Sequence, residues 1–176
     1  MDPIIISGGP GAGKTTLLHA LAERGFTTFN EVPRDLIEQQ SQFENGILPW
    51  DNLPAFAELC LEEMQQQKQQ AMCEKVAFLD RAIPDICAYL SGAGHPLSQR
   101  YLEGSRGYHS QVFFCQPNEF TYVQDEVRPY PFAEALELHQ QLLASYQSLG
   151  YHIIEVPWAS VSERAEFVAR HIMLGK

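Results

Sequence analysis

The 176-residue chain predicts an α/β fold in which a five-stranded parallel sheet is covered by helices on both faces. Short, mostly apolar runs recur at 4–6, 26–29, 76–80, 111–115 and 151–156, each bounded by turn residues. Between them lie segments whose apolar residues fall at helical spacing. The first run stops in a glycine-rich turn that leads straight into such a segment, the strand-to-helix joint of a parallel unit. A hydrophobic content of 45% with 19% charged residues is ordinary for a folded protein, and the length suits one domain over residues 1–176.

The glycine-rich turn is the most informative stretch. Residues 4–18 read Ile4-Ile5-Ile6-Ser7-Gly8-Gly9-Pro10-Gly11-Ala12-Gly13-Lys14-Thr15-Thr16-Leu17-Leu18, matching Gly-x-x-x-x-Gly-Lys-Thr in full. Gly8, Gly11 and Gly13 allow positive φ and let backbone N–H groups approach a polyphosphate with no Cβ in the way. Lys14 places a cation on the β- and γ-phosphates, and the Thr15 hydroxyl is a ligand for Mg²⁺. The following helix turns its positive end toward the same anion. Residues 8–16 are therefore the candidate nucleotide-binding loop, with ATP, or GTP as the alternative, and Mg²⁺ as cofactors.

A net charge of −10 argues against a general nucleic-acid binder, which needs a basic face. The 12 lysines and arginines are few, and Arg34, Arg81, Arg100, Arg106 and Arg128 fall in or near strand ends and loops. Arginines so placed in an acidic chain suggest a local phosphate pocket. Cys60, Cys73, Cys87 and Cys115 form no C-x-x-C and have no histidine at ligand spacing, so buried free thiols are expected. No stretch before the first strand reads as a signal peptide and no apolar run is long enough to span a bilayer, so a cytoplasmic location is expected.

Taken in order, residues 15–24 predict a helix with Leu17, Leu18 and Leu21 inward, closed by Gly25. A strand over 26–29 ends at Asn30-Glu31, and the next helix begins around Pro33. Glu31 and Arg34 then stand on the strand-end rim where open α/β sheets bind ligands. They read either as a base and a substrate contact or as a helix-start carboxylate and an exposed arginine. Residues 43–53 form a turn-rich link, either a substrate-covering loop or a structural anchor through Trp50. A long helix from 54 to about 74 carries Phe56, Leu59, Cys60 and Met64 inward, and its glutamine run reads as a solvated face.

The strand at 76–80 ends in Asp80, the shape of a Walker-B strand whose carboxylate holds the Mg²⁺ water shell. The simpler alternative is an Asp-Arg pair capping a strand. Arg81 occupies the place where a water-polarising Glu is usual in hydrolytic motors, and a cation there suits transfer to a bound hydroxyl better than hydrolysis. Asp85, four residues on, faces Arg81 at one-turn spacing, as a structural ion pair or as a hydroxyl-binding group.

A helix over 83–90, a short one near 97–102 and a strand at 111–115 follow, and then an irregular, arginine-bearing segment to residue 131. That segment, about 117–131, has the makings of a lid over the triphosphate, against the alternative of a plain surface connection. A helix over 132–149 with Phe132, Leu136, Leu143 and Tyr146 on its apolar side, a strand over 151–156 and a helix over 160–174 complete the chain. Ser160 and Glu163 form a capping box on the last helix. The six histidines show no ligand-like spacing and read as structural or exposed.

With these pieces placed, the chain resembles an AAA-domain group of P-loop kinase-like ATPases related to the nicotinamide ribonucleotide kinase domain, and more remotely the deoxynucleoside and nucleoside monophosphate kinases. The likeness covers nearly the whole chain. It rests on Asn30-Glu31-Val32-Pro33-Arg34, Asp80-Arg81-Ala82-Ile83-Pro84-Asp85 with Tyr89, Tyr122-Val123-Gln124-Asp125-Glu126-Val127-Arg128, and Tyr146 through Gly150. The resemblance implies a three-layer P-loop NTPase fold with sheet order 2-3-1-4-5 and with Glu31 and Asp80 side by side near Lys14. It implies Glu31 as the base for an acceptor hydroxyl, Arg81 as a phosphate or substrate contact and Arg128 as the lid arginine. Arg34 and Asp85 match the group's pattern without an assigned role.

Two functions of different class follow. One is a phosphotransferase moving the γ-phosphate of Mg·ATP to a hydroxyl of a nucleoside-like small molecule, with Lys14, Glu31, Arg81 and Arg128 catalytic and Thr15 and Asp80 on the metal. In that reading Glu31, Arg34, Arg81 and Asp85 contact the acceptor. The other is a nucleotide-dependent binding module, or an NTPase, with no small-molecule acceptor. The absence of Asn-Lys-x-Asp weighs against a guanine-selective switch.

Overall fold

The computed structural model describes residues 1–118 and 131–174. Five parallel strands, β1 (Ile4–Ser7), β2 (Thr27–Phe29), β3 (Ala77–Asp80), β4 (Gln111–Cys115) and β5 (His152–Val156), form one sheet in the order 2-3-1-4-5. Around them lie α1 (Lys14–Glu23), α2 (Val32–Gln40), α3 (Leu53–Met72), α4 (Ile83–Gly92), α5 (Gln99–Gly104), α6 (Phe132–Ser148) and α7 (Val161–Leu174). This is the three-layer P-loop fold with the strand order that the resemblance implied.

The two layers follow from side-chain alternation along the strands. Ile5, Leu79, Val112 and Phe114 point to one face, under α2, α3, α4, α5 and α6. Ile4, Ile6, Phe78, Phe113 and Cys115 point to the other, under α1 and α7. The register sets Asp80 beside Ile6, one residue short of the end of β1. The carboxyl ends of β1, β2 and β3 thus deliver the loop after Ser7, Glu31 and Asp80-Arg81 to one rim.

Several local expectations are corrected. Cys60, Cys87 and Cys115 are buried, but Cys73 is exposed, because it caps the C-terminus of α3. The buried stripe of α6 is Ala135, His139, Leu142 and Tyr146, leaving Leu136 and Leu143 at its margins. The glutamine-rich stretch of α3 is no plain solvated face. Its Lys68 is half-buried, donates to the Gly104 and Arg106 carbonyls and lies 4.5 Å from the centre of the Tyr108 ring. On α7 the Ser160 half of the expected capping box forms, with the Glu163 N–H donating to Ser160 Oγ at 3.1 Å, while Glu163 Oε1 accepts from the Ser160 hydroxyl at 2.9 Å. Among the described residues no helix is long and apolar enough to cross a membrane.

Candidate active site

The loop between β1 and α1 is held open by its glycines. Gly8, Gly11 and Gly13 take φ of 134°, 76° and 78°, where a Cβ is strained. A Cβ on Gly8 would also lie 1.9 Å from the Cys115 carbonyl oxygen, so the loop crosses the end of β4 at a distance only glycine permits. α1 starts at Lys14 with neither a side-chain cap nor an acidic residue in its first turn. Its N-terminal N–H groups are left for an external anion.

Lys14 is buried, and burial followed by the Arg81 charge lowers its pKa below the usual lysine value. A cation held in this way is strengthened by a phosphate. Thr15 and Thr16 present exposed side chains at the same mouth.

Behind the loop is a charged network. Arg81 adopts φ of 68°, the left-handed conformation of a non-glycine residue, as the chain turns from β3 into α4. Its N–H donates to the Ile6 carbonyl at 3.0 Å. Its guanidinium donates to Glu31 Oε1 at 3.2 Å and to Asp85 Oδ2 at 2.9 Å, with only 4% of the side chain exposed. Asp85 is sealed off, accepting further hydrogen bonds from Ser7 Oγ at 2.6 Å, from the Ala82 N–H at 3.2 Å and from the Tyr146 hydroxyl. Of its two readings, the structural ion pair is the one the geometry shows. With no exposed surface and its oxygens taken, Asp85 is corrected from acceptor contact to the anchor that aims Arg81.

Glu31 precedes the first turn of α2 and faces the opening. Burial pushes its carboxyl up, but Arg81, Lys14 and Arg34 outweigh burial and hold it below the usual range. Asp80 is different: burial, reinforced by Glu31, pushes it up to about 6 against the pull of Lys14 and Arg81. Its Oδ1 is buried with no hydrogen-bond partner among the described residues. That orphaned oxygen fits a hydrated Mg²⁺, which binds through one or two carboxylates together with waters and substrate phosphates. No group of three His, Cys, Asp or Glu side chains able to hold a metal occurs among the described residues.

Lys14, Glu31 and Arg81 line one cleft of about 820 Å³, with Asp80 and Asp85 buried behind its wall. One end is the loop from Pro10 to Thr16 together with Trp158 to Val161. The other is an aromatic and aliphatic chamber holding Glu31, Arg34 and Arg81. Pro49, Trp50 and Leu53 line it, so the end of the 43–53 link borders the cleft, and Trp50, 56% exposed, is no buried anchor. Of the other arginines expected at a phosphate pocket, Arg100 pairs with Glu58 on the surface and Arg106 is exposed. Both sit on or beside α5, away from the rim. Arg128, with Tyr122, Asp125, Glu126 and most of the expected lid, lies outside the described residues.

Two contributors escaped the sequence reading. Arg164 of α7 is buried, donates to the Ala12 carbonyl at 3.0 Å and stacks 5.0 Å from the Trp158 ring centre, bracing the loop from the face that α7 shares with α1. His139 of α6 accepts a hydrogen bond at Nδ1 from the Gly9 N–H at 3.0 Å. Its only sequence signal is its place on the Ala135, Leu142, Tyr146 stripe, a polar residue where an apolar one is expected.

A 2-3-1-4-5 parallel sheet with a phosphate loop after its central strand defines a P-loop kinase-like, nucleotide-binding fold. The chain belongs to the AAA domain family, whose model matches residues 3–164. It is 31% identical over 126 residues to a nucleotide-binding protein of Haemophilus influenzae, an overlap of 66% of this chain and 44% of that relative. The chain thus spans less than half the length of that curated relative. Among solved structures it is similar to the NadR protein in complex with NR (TM-score 0.73, 13% identity, 99% of this chain and 52% of that one). It is also similar to deoxyadenosine kinase from M. mycoides with dCMP and dCDP bound (TM-score 0.64, 15% identity, 97% and 98%). A third likeness is to shikimate kinase from Acinetobacter baumannii in complex with shikimate (TM-score 0.56, 17% identity, 100% and 95%). At these identities the structural likeness is one of fold.

Proposed function

We propose that the protein transfers the γ-phosphoryl group of Mg·ATP to a hydroxyl of a small molecule, with GTP as the competing donor. The observation that carries this reading is the single cleft joining the Lys14 loop to a chamber with a carboxylate and a guanidinium at its base. A chamber beside the phosphate loop favours transfer to a bound acceptor over hydrolysis alone. The solved kinases of the same fold, one holding shikimate and one holding nucleotides, support it.

The loop amides, Lys14 and the N-terminus of α1 bind and orient the β- and γ-phosphates. Thr15 and Asp80 would hold Mg²⁺, which supplies neutralisation of phosphate charge when bound. Glu31 accepts the proton of the acceptor hydroxyl as its oxygen bonds to the γ-phosphorus. The bond from that phosphorus to the β,γ-bridging oxygen breaks, and ADP leaves. Arg81, locked by Asp85, faces the charge on the moving group, and Arg128 is the proposed lid cation. Because the transition state is loose, positioning and electrostatics suffice for large acceleration.

ADP release measured with and without a panel of hydroxyl compounds tests this. We expect acceptor-dependent release in the parent protein and its loss in Glu31→Gln, with ATP affinity kept within about threefold. Full turnover by Glu31→Gln removes Glu31 from the mechanism. Slow, acceptor-independent hydrolysis with tight nucleotide retention replaces the kinase with a nucleotide-dependent binding module.

A further inference from the structure

The far chamber carries information about its occupant. Its walls are apolar and partly aromatic, with Ile37, Trp50, Leu53, Phe56, Ile86 and Tyr89 among them. Among the described residues lining the cleft there is no Asn, Gln or His, and Thr15, Thr16 and Ser160 all belong to the nucleotide end. A nucleobase is read by hydrogen bonds to its edge, and none of the described lining residues carries a side-chain amide to make them. A polyol would bury several hydroxyls, and beyond Glu31, Arg34, Arg81 and the Tyr89 hydroxyl the described walls of the chamber offer them few partners.

The charges are unevenly committed. Arg81 is engaged by both Glu31 and Asp85, and Lys14 serves the phosphate loop. Arg34 is half-buried on the chamber wall and has no ion pair within 4.0 Å among the described residues. Glu31, whose field it feels, already accepts from Arg81. A guanidinium at the wall of an apolar chamber is a planar fork for a carboxylate or phosphate.

We propose that the chamber takes an anionic alcohol with a flat apolar body: its anion on Arg34, its body against the Trp50–Phe56 wall and its hydroxyl toward Glu31. The last contact rests on the phosphotransfer reading. The first two do not, because they concern binding without nucleotide. This excludes neutral nucleosides and sugars as the preferred occupants and narrows the search to hydroxylated aromatic acids and monophosphates.

The test is direct binding in the absence of nucleotide, read from Trp50 fluorescence in a Trp158→Phe background and by calorimetry. The probes are 4-(hydroxymethyl)benzoate, 4-(hydroxymethyl)phenyl phosphate, benzyl alcohol, thymidine and ribose. We expect at least one anionic probe to bind about tenfold tighter than benzyl alcohol, the better of the two identifying carboxylate or phosphate as the natural anion. Arg34→Met should erase that preference while leaving benzyl alcohol binding unchanged. Arg34→Lys, which keeps the charge and loses the fork, should retain part of it, and far-UV circular dichroism checks that both variants fold. Tighter binding of thymidine or ribose, no binding of either anionic probe at millimolar concentration, or an anion preference that survives Arg34→Met overturns the proposal. An anionic probe that binds through Arg34 but is never phosphorylated counts against the transferase reading alone.

Discussion

The two ends of the cleft are built in opposite ways. The nucleotide end is one contiguous stretch, Pro10 to Thr16, whose chemistry is mostly main chain: amides, positive-φ glycines and the start of a helix. The proposed acceptor end is assembled from residues distant in sequence and depends on their side chains. Its carboxylate comes from the start of α2, its buried arginine from the end of β3, and its walls from the 43–53 link, α3 and α4. A phosphate site made from backbone can be shared by proteins of unlike sequence, because any residue that allows the dihedral angles supplies the amide. A chamber made of side chains is particular to its chain. This is why likenesses of 13–17% identity carry the fold here, while the acceptor remains a matter for Glu31, Arg34 and the walls.

The largest effect that separates the two ends is expected from Lys14→Ala. Loss of the buried cation should cut phosphoryl transfer by about 10³-fold while probe binding in the chamber stays within about twofold. Single-turnover kinetics alongside nucleotide-free probe titration reads both quantities. Equal damage at both ends would mean that the cleft acts as one electrostatic unit and that its ends are not separable.

Asp85→Ala should expose what joins the ends. Asp85 receives Ser7 from the strand that feeds the loop, and Arg81, which in turn holds Glu31. Removing it leaves a buried guanidinium, a tyrosine hydroxyl and a serine hydroxyl short of their partner. The expected loss of stability is about 3–5 kcal/mol, read from urea unfolding. A change below about 1 kcal/mol would show that the network is slack. Arg81 would then need another reason for its left-handed backbone.

How much was readable in advance follows the same division. The loop and the succession of strands and helices were legible because each is fixed by neighbours in sequence, whereas the meeting of Glu31 and Asp80 on one rim was implied by the family resemblance. Within the loop every glycine assigned a positive φ has one. Arg164 and His139 were not legible, since they reach the loop from 152 and 130 residues away. Only the sheet order brings α6 and α7 to it, and no local spacing encodes that. Asp85 shows the intermediate case. Its one-turn spacing from Arg81 was visible, but the Tyr146 and Ser7 donors that settle its role came from α6 and β1. The inward face of α6 was legible in part: Tyr146 is buried and Leu143 packs at the margin, while the centre of the stripe holds His139, which hydrophobic spacing does not select.

The smallest expected effect belongs to that histidine, and it acts on the nucleotide end alone. Nδ1 of His139 can accept from the Gly9 N–H only while unprotonated at that atom. Burial, then the charges of Arg81 and Lys14, lower its pKa to about 4, whereas an unfolded chain has histidines near about 6.5. Between those values the unfolded state binds a proton that the folded state refuses. The His139 contribution is therefore complete above about pH 6.5 and is lost as pH falls toward 4, by about 2 kcal/mol at pH 5. Asp80, raised to about 6, contributes with the opposite sign as the pH falls, so the parent protein alone does not isolate the term. His139→Gln removes the titrating ring and can keep an acceptor for Gly9. Its urea midpoint should fall less between pH 7 and pH 5 than that of the parent protein, and equal slopes would place the pH dependence elsewhere. Nucleotide binding follows the folded-state value instead: at pH 5 most of the imidazole is still neutral, so the parent should bind nucleotide about as it does at pH 7 and weaken only as the pH approaches 4. His139→Gln should flatten that loss, with the chamber's neutral probe unaffected in either protein.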